Sequence, residues 1–263
     1  MAALSAAQLC ARILSPPEST GTIATASDSS ASNQHVDPIY QQTIGEFPTI
    51  KINRFRQWLN GVPLQFVDLR QCIQGRVLAN EADTRLYFDN ELVVACWPII
   101  LAMAAPGQHR DYDLRLVSES SVQGAAMRPD LMICQLRQRS TISQTGAEVR
   151  TALPTPFLAI EAKAPGVLAS ASRNLEINCD HSSDWDTVSK QIRKYAILND
   201  LHNVVIYDDK YVVYVQFANP ENATAMCRIL IANAAAPGGA LTARELVVFA
   251  AFEAFTATGV IPR

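Results

Sequence analysis

The sequence predicts an α/β fold, and three observations support this prediction. Short runs rich in Val, Ile, Leu, Tyr and Phe, typical of strands, alternate with longer segments whose apolar residues recur at helical spacing. The predicted order in the central part of the chain is one helix, three strands, a second helix and a further strand. Hydrophobic residues make up 49% of the 263 residues, which is ample for a core of that size.

Two of the predicted strands carry charged residues at their ends. Asp130 directly precedes the apolar run 131–136, and Glu161 and Lys163 close the run 157–163. The second run is stopped by Pro165 and the glycine that follows it, a typical turn signal. Because the two runs are far apart in sequence, we expect an extended connection at 138–154.

Alternation along the second strand separates an apolar face from a face that ends in charge, because successive side chains point to opposite sides of a strand. The apolar face consists of Leu158, Ile160 and Ala162. The other face consists of Phe157, Ala159, Glu161 and Lys163. An acid and an amine at the end of such a strand suggest a divalent cation held by Asp130 and Glu161. Mg²⁺ prefers oxygen ligands and usually takes only one or two carboxylates.

A long helix is predicted before these strands, at 81–104, with Asn80 as its N-cap. Its apolar stripe consists of Phe88, Leu92, Ala95 and Cys96. Glu81 lies on the same stripe, at the start of the helix, where an acid also suits the helix dipole. Pro98 is expected to kink or end the helix.

The remaining elements complete the order. A helix is predicted at 184–200, and within it Gln191 and Tyr195 lie one turn apart on the same side. The closing helix starts at Thr242, which forms a capping pattern with the glutamate three positions later, and runs to Phe255. Further strands are predicted at 113–118, 203–207, 211–217 and 226–233.

These motifs resemble the PD-(D/E)XK nuclease superfamily over residues 80–217. The matching residues are Pro129, Asp130, Glu161 and Lys163, and the Gln191-x-x-x-Tyr195 helix is similar to that of RecB-like nucleases. The 109–160 region and the Ser-rich linker also resemble nuclease-like domains of uncharacterised fungal proteins. The resemblance implies a restriction-endonuclease-like mixed β-sheet core (αβββαβ) flanked by helices, here with an N-terminal helical extension.

The same resemblance implies a metal-dependent nuclease that hydrolyses phosphodiester bonds with Mg²⁺ or Mn²⁺. The implied catalytic residues are Asp130, Glu161, Lys163, Gln191 and Tyr195. The implied metal ligands are Asp130, Glu161, the Ala162 carbonyl and Glu81, with Glu91 as the second choice for the helix glutamate. Two alternatives stay open: an inactive nuclease-like fold that binds nucleic acid or protein, and an unrelated α/β protein in which Glu161 and Lys163 form a surface ion pair.

Basic residues at 51–76 could contact nucleic acid. Arg54 and Arg56 are interleaved with Phe55 and Trp58, and basic groups beside aromatic rings can bind phosphates and bases. The other interpretation is a helix whose aromatic side packs on the rest of the protein while its arginines stay solvated.

Three further basic residues are candidates for the same contact. Arg137 and Arg139 lie beside or within the 138–154 connection, which is either a polar hairpin or a loop that grips substrate. Lys194 lies in the Gln-x-x-x-Tyr helix.

The predicted organisation has three parts. Residues 1–38 form a short helix and a disordered Ser-rich linker, 39–78 a small basic and aromatic helical region, and 79–263 the nuclease-like domain. The net charge of −3 argues against a protein that coats nucleic acid, although a local contact, with DNA favoured over RNA, is compatible with it. Scattered cysteines and the lack of a convincing signal peptide or apolar span predict an intracellular protein, in cytoplasm or nucleus, with no membrane partner.

Overall fold

The computed structural model describes residues 5–12, 14, 36–62, 81–103, 112–118, 130–142, 148–169, 183–234 and 240–257. Helices cover both faces of one mixed β-sheet, so the prediction of a mixed α/β fold is confirmed.

The described strands form a seven-stranded sheet in the order β1-β7-β6-β5-β4-β3-β2. The strands are β1 (Ile44–Gly45), β2 (Tyr112–Ser118), β3 (Leu131–Ile142), β4 (Glu148–Ala162), β5 (Asn203–Tyr207), β6 (Tyr211–Phe217) and β7 (Cys227–Asn233). The β4–β5 and β1–β7 pairs are parallel, and the other neighbours are antiparallel. The predicted strands at 113–118, 203–207, 211–217 and 226–233 are found to within one residue.

The helices agree closely with their predicted positions. They are α1 (Ala6–Cys10), α2 (Thr49–Gly61), α3 (Glu81–Phe88), α4 (Ala95–Ala102), α5 (Ser183–Leu198) and α6 (Ala243–Ala257). At the start of α6, Thr242 and Glu245 exchange side-chain to backbone hydrogen bonds, so the predicted cap of the closing helix is confirmed.

The sheet separates two hydrophobic cores. The first core packs α6 together with side chains of α1, α2 and the α3–α4 region against residues such as Leu158, Ile160 and Ala162. The second core packs the apolar side of α5 against Ala159 and Ile206 on the other face. The ends of β3, β4 and β5 therefore lie between helices that arrive from both sides.

The α3–α4 helix continues through Pro98, which lies inside α4. A π-helical turn at Asp89–Val94 comes just before it, and there the Ala95 N–H bonds to the Asn90 carbonyl. Proline has no N–H and its ring clashes with the carbonyl four residues earlier, here that of Val94. The π-helical turn ends at Val94, so Pro98 does not end the helix. The predicted apolar stripe of this helix is buried.

The aromatic side of α2 packs on α6. Phe55 makes edge contacts with Phe249 and Phe252, with ring centroids 5.3 and 5.7 Å apart, and Trp58 lies 5.2 Å from Phe252. Phe55 is fully buried. The packing interpretation of this helix is therefore confirmed for its aromatic residues, which are used in the core.

Phe157 was expected on the Glu161 face, and this expectation is wrong. A bulge shifts the β3–β4 register between Ile133 and Cys134, because Cys134 pairs with Pro156 while Ile133 pairs with Leu158. Phe157 is the extra residue, and a bulge reorients the side chain it carries. The Phe157 ring packs at 5.3 Å against Phe255 in the α6 core.

The expected connection at 138–154 is mostly strand. β3 and β4 remain paired to Ile142 and Glu148, and residues 143–147 lie outside the described part. The segment is therefore a long hairpin arm, in agreement with the hairpin interpretation.

The amino-terminal residues join the same core. Leu9 and Cys10 of α1 are fully buried, and the Cys10 carbonyl accepts a hydrogen bond from the Thr242 hydroxyl. Most of the predicted linker (15–35) and part of the basic region (63–80) lie outside the described residues. Within the described residues, no helix is long and apolar enough to cross a membrane.

Candidate functional site at the sheet rim

Asp130 and Glu161 meet at the rim of the sheet. Leu131 pairs with Ile160, so Asp130, one residue before β3, lies next to the end of β4. The Asp130 N–H donates to Glu161 Oε2 at 3.2 Å, and the Ala162 N–H donates to Asp130 Oδ2 at 2.8 Å. Strand pairing therefore holds the two carboxylates side by side.

Lys163 and Tyr195 both donate to the same oxygen of Glu161. The Lys163 ammonium lies 2.8 Å from Glu161 Oε1, and the Tyr195 hydroxyl lies 2.7 Å from it. All three side chains are buried, so this is not the surface ion pair of the unrelated α/β interpretation. The three residues lie together because β4 alternation turns Glu161 toward α5. We call Asp130, Glu161, Lys163 and Tyr195 the rim cluster.

Arg85 of α3 is a further partner of Asp130. Arg85 donates from Nη1 to Asp130 Oδ1 at 2.8 Å and from Nη2 to the Asp130 carbonyl at 3.2 Å. Its Nε lies 3.5 Å from Asp89 Oδ2, one helical turn later. Arg85 therefore lies between two carboxylates, one on its own helix and one at the sheet rim.

Asp89 links this helix to the strand beside the rim cluster. The Tyr207 hydroxyl donates to Asp89 Oδ1 at 2.6 Å, and the Phe88 ring packs at 5.2 Å from the Tyr207 ring. The Tyr207 carbonyl accepts the Lys163 N–H at 2.8 Å. One set of contacts thus fixes α3 and the backbone of Lys163 to the end of β5.

Burial and crowding of acids raise carboxyl pKa values here. Burial raises the pKa of Glu161; the Lys163 ammonium opposes this, and the Asp130 charge adds to it. Burial also raises the pKa of Asp89, which the Tyr207 hydroxyl and Arg85 oppose. Both acids therefore hold a proton more readily than a solvated carboxyl group does.

The other residues of the predicted catalytic and metal sets lie on α5, β4 and α3. Gln191, one turn before Tyr195 on α5, is 5% exposed. Ala162 is fully buried and contributes its N–H to Asp130. Glu81 begins α3, but its side chain is outside the described part, as is Pro129.

Glu91, the second choice for the helix glutamate, faces a different partner. Arg244 donates to its carboxylate at 2.7 Å and to its carbonyl at 2.9 Å. Glu91 therefore connects the π-helical turn to α6 through Arg244, and its role as the second-choice metal ligand stays a prediction.

The predicted nucleic-acid contacts lie on three elements, α2, β3 and α5, and Lys194, beside Tyr195 on α5, is 6% exposed. Arg54 and Arg56 are exposed on α2, and Arg56 contacts the Ala240 carbonyl at 2.7 Å and Glu245 at 3.5 Å. Arg137 and Arg139 lie on β3 in the hairpin arm, with side chains outside the described part. Their binding role stays a prediction.

The rim cluster fits a Mg²⁺ or Mn²⁺ ion in donor chemistry. Asp130 and Glu161 offer carboxylate oxygens on adjacent strands, and two such ligands are a usual protein contribution to Mg²⁺. Among the residues that the structure describes, no group of three or more His, Cys, Asp or Glu side chains is arranged to hold a metal. Any ion here would therefore depend on these two acids together with water, phosphate or a backbone carbonyl.

Arg85, Asp89 and Tyr207 were not predicted as part of the site. A signal was present, since Glu81, Arg85 and Asp89 follow one another at four-residue spacing and share one side of the predicted helix. Their partners on β5 and before β3 could not be read from the helix alone.

Comparison of this chain with protein-family models, with curated proteins and with solved structures finds no match.

Proposed function

We propose that the protein is a metal-dependent nuclease that hydrolyses phosphodiester bonds of nucleic acid, DNA more readily than RNA. The observation that supports this most is the convergence of Asp130, Glu161 and Lys163, from two strands, into one buried hydrogen-bonded cluster. Paired carboxylates can hold a divalent cation that assists phosphoryl transfer, and an adjacent ammonium group can balance the charge that develops on the phosphate.

The finer fold assignment is part of this proposal. The observed order α3, β2, β3, β4, α5 and β5 agrees with the αβββαβ core of restriction-endonuclease-like folds. The candidate residues also lie at equivalent places in the order, with Asp130 before β3, Glu161 at the end of β4, and Gln191 and Tyr195 on the following helix.

Asp130 and Glu161, with the Ala162 carbonyl, would hold Mg²⁺ or Mn²⁺. When bound, the ion would lower the pKa of a water molecule and polarise a phosphoryl oxygen. The two acids lie on paired strands, so the protein fixes the ligands before the ion arrives.

In this proposal Lys163 acts on the reacting groups. Water adds to phosphorus through its oxygen and loses a proton, the bond from phosphorus to the leaving oxygen breaks, and that oxygen takes up a proton. The Lys163 ammonium, beside Glu161, would orient the water and balance the negative charge that develops on the phosphoryl oxygens. The Tyr195 hydroxyl fixes Glu161, and Gln191 would position the water or the phosphate.

The test is cleavage of a plasmid and of a labelled oligonucleotide with Mg²⁺ and with Mn²⁺. Asp130→Asn keeps the size of the side chain but removes its charge, and we expect a loss of about 100-fold or more. Arg228→Gln is the matched control, because Arg228 pairs with Gln216 at the opposite end of the sheet, and it should cleave like the wild type. Circular dichroism checks that each variant is folded.

Undiminished cleavage by Asp130→Asn would reject the assignment. So would a folded wild-type protein that cleaves neither DNA nor RNA with either ion.

One observation favours the second candidate, an inactive nuclease-like fold that binds nucleic acid or protein. Both acids already have a cationic partner, Arg85 for Asp130 and Lys163 for Glu161. A closed network of this kind also suits a structural role. Binding of an oligonucleotide without cleavage, unchanged by Asp130→Asn, would favour this candidate.

A further inference from the structure

The Arg85 guanidinium takes the position of a counterion beside Asp130. Two of its nitrogens contact Asp130, one at the carboxylate and one at the carbonyl, and a third lies near Asp89. The forked guanidinium matches such a set of acceptors, and it stays charged at any ordinary pH. The Ala162 N–H holds Asp130 Oδ2, so Arg85 occupies the carboxylate oxygen that has no backbone donor among the described contacts.

The two cations around the acids differ in their freedom to move. Lys163 follows Glu161 by two residues, directly after the end of β4, and its side chain is 10% exposed. Arg85 comes from a separate helix, and its side chain is 32% exposed. Arg85 can therefore exchange Asp130 for water, or for a closer contact with Asp89, without moving the strand.

The balance of charge indicates what such an exchange would do. Among the side chains that the structure describes, three carboxylates (Asp89, Asp130 and Glu161) contact two cations (Arg85 and Lys163). A divalent ion on Asp130 would come close to the guanidinium, and like charges at that distance repel strongly in a partly buried site. The ion and the Arg85–Asp130 contact therefore oppose each other.

We propose that Arg85 is a built-in competitor for the cation site: it neutralises Asp130 in the absence of a divalent ion and must leave Asp130 Oδ1 when one binds. This inference rests on the proposed function, because it requires that Asp130 and Glu161 bind a divalent cation. Arg85 thereby sets the affinity of the site for the ion.

The test measures Mn²⁺ alone binding to the full-length protein, by calorimetry and by the electron paramagnetic resonance signal of free Mn²⁺. Arg85→Gln removes the charge and keeps a polar side chain, and we expect it to bind Mn²⁺ about tenfold more tightly or better. Arg228→Gln also removes one half-buried arginine, away from the rim cluster, and should bind like the wild type.

The outcomes separate the two proposals. Equal or weaker Mn²⁺ binding by Arg85→Gln, when the wild type binds, overturns the competition and leaves the proposed function standing. Absence of binding by both proteins overturns both proposals.

Circular dichroism shows whether Arg85→Gln is folded. Should that variant fail to fold, Arg85→Lys decides the matter. Lysine keeps the charge but lacks the fork that contacts both the carboxylate and the carbonyl of Asp130, so its ammonium can leave Asp130 more easily when the ion binds. Tighter Mn²⁺ binding than that of the wild type therefore supports the competition, and equal or weaker binding overturns it.

Discussion

Two pairs of acids lie at the same end of the sheet but are satisfied in different ways. Asp130 and Glu161 lie at the β3–β4 rim, and Asp208 and Asp209 follow the neighbouring strand β5. Each pair is largely buried. The difference lies in the groups that donate to them.

The acids after β5 accept from the backbone. Asp208 accepts the N–H groups of Leu168, Lys210 and Tyr211 at 2.7 to 2.9 Å. Asp209 accepts the Gly166 N–H at 2.7 Å. Backbone donors cannot leave without unfolding the turn, so these acids are structural.

Gly166 shows what the turn requires. Its φ is 83°, a conformation that only glycine adopts without strain. Asp209 therefore holds in place the turn that ends the Lys163 segment.

The rim acids accept from side chains as well as from the backbone. Arg85 and Lys163 supply charge, and Tyr195 supplies a hydroxyl. Side-chain donors can turn away and be replaced by an ion or a phosphate. The comparison teaches that burial of an acid does not distinguish a site from a structural anchor, whereas the mobility of its donors does.

The largest difference between the rim acids and the acids after β5 should appear in the rate of nucleic-acid cleavage. Glu161→Gln and Asp209→Asn each convert a buried acid to its amide, and the first should lose about 100-fold or more in activity. The second keeps an acceptor for Gly166 and should retain most of it. The measurement is the initial rate on one oligonucleotide with Mg²⁺, with both proteins folded. Equal losses of activity in Glu161→Gln and Asp209→Asn would contradict the distinction between the rim acids and the acids after β5.

The free energy of unfolding should respond in the opposite order, with the larger loss for a variant of the acids after β5. Asp208→Ala leaves buried N–H groups without a partner and should lower the free energy of unfolding by about 3 kcal/mol. Asp130→Ala leaves a single buried N–H, that of Ala162, without this acceptor, while Arg85 can reach water and repulsion with Glu161 is relieved, so its cost should be about 1 kcal/mol. Urea unfolding at pH 7 measures both. A larger loss for Asp130→Ala would mean that the rim cluster is the structural one.

Asp208 should also give the free energy of unfolding a pH dependence, with an effect no larger than the loss caused by Asp208→Ala. Burial raises the pKa of Asp208 to about 6, against the opposing effect of its backbone donors. The folded state then holds this proton more tightly than the unfolded chain. The resulting stability is fully present below pH 4 and is lost as the pH rises through 6.

Asp208→Asn cannot titrate, so it provides the reference. The free energy of unfolding of the wild type, relative to this variant, should fall by at most about 3 kcal/mol between pH 4 and pH 7. A difference that stays constant across this range would show that Asp208 does not titrate there.

The convergence of Asp130, Glu161 and Lys163 could be predicted because it depends on local rules. Alternation puts Glu161 and Lys163 on one face, and a residue that precedes a strand lies at its end. The apolar face of β4 followed from the same rule. The rule failed at Phe157, because a bulge is set by the pairing partner and not by the strand itself.

Contacts between residues far apart in the chain could not be predicted from the sequence. Arg85 was readable as a helical residue, but its contact with Asp130 depends on how α3 packs against β5 through Phe88 and Tyr207. The two-residue strand β1 is too short to carry a pattern and exists through its pairing with β7. The sequence therefore indicated that Asp130 and Glu161 meet, and the structure added Arg85, which lies between Asp130 and Asp89.

A crystal soaked in Mn²⁺ and measured at the manganese absorption edge tests the central claim most directly. We expect one anomalous peak within about 2.5 Å of carboxylate oxygens of both Asp130 and Glu161. We also expect the Arg85 guanidinium to have left Asp130 Oδ1. A peak confined to other residues, or its absence at these two acids under saturating Mn²⁺, would contradict the account.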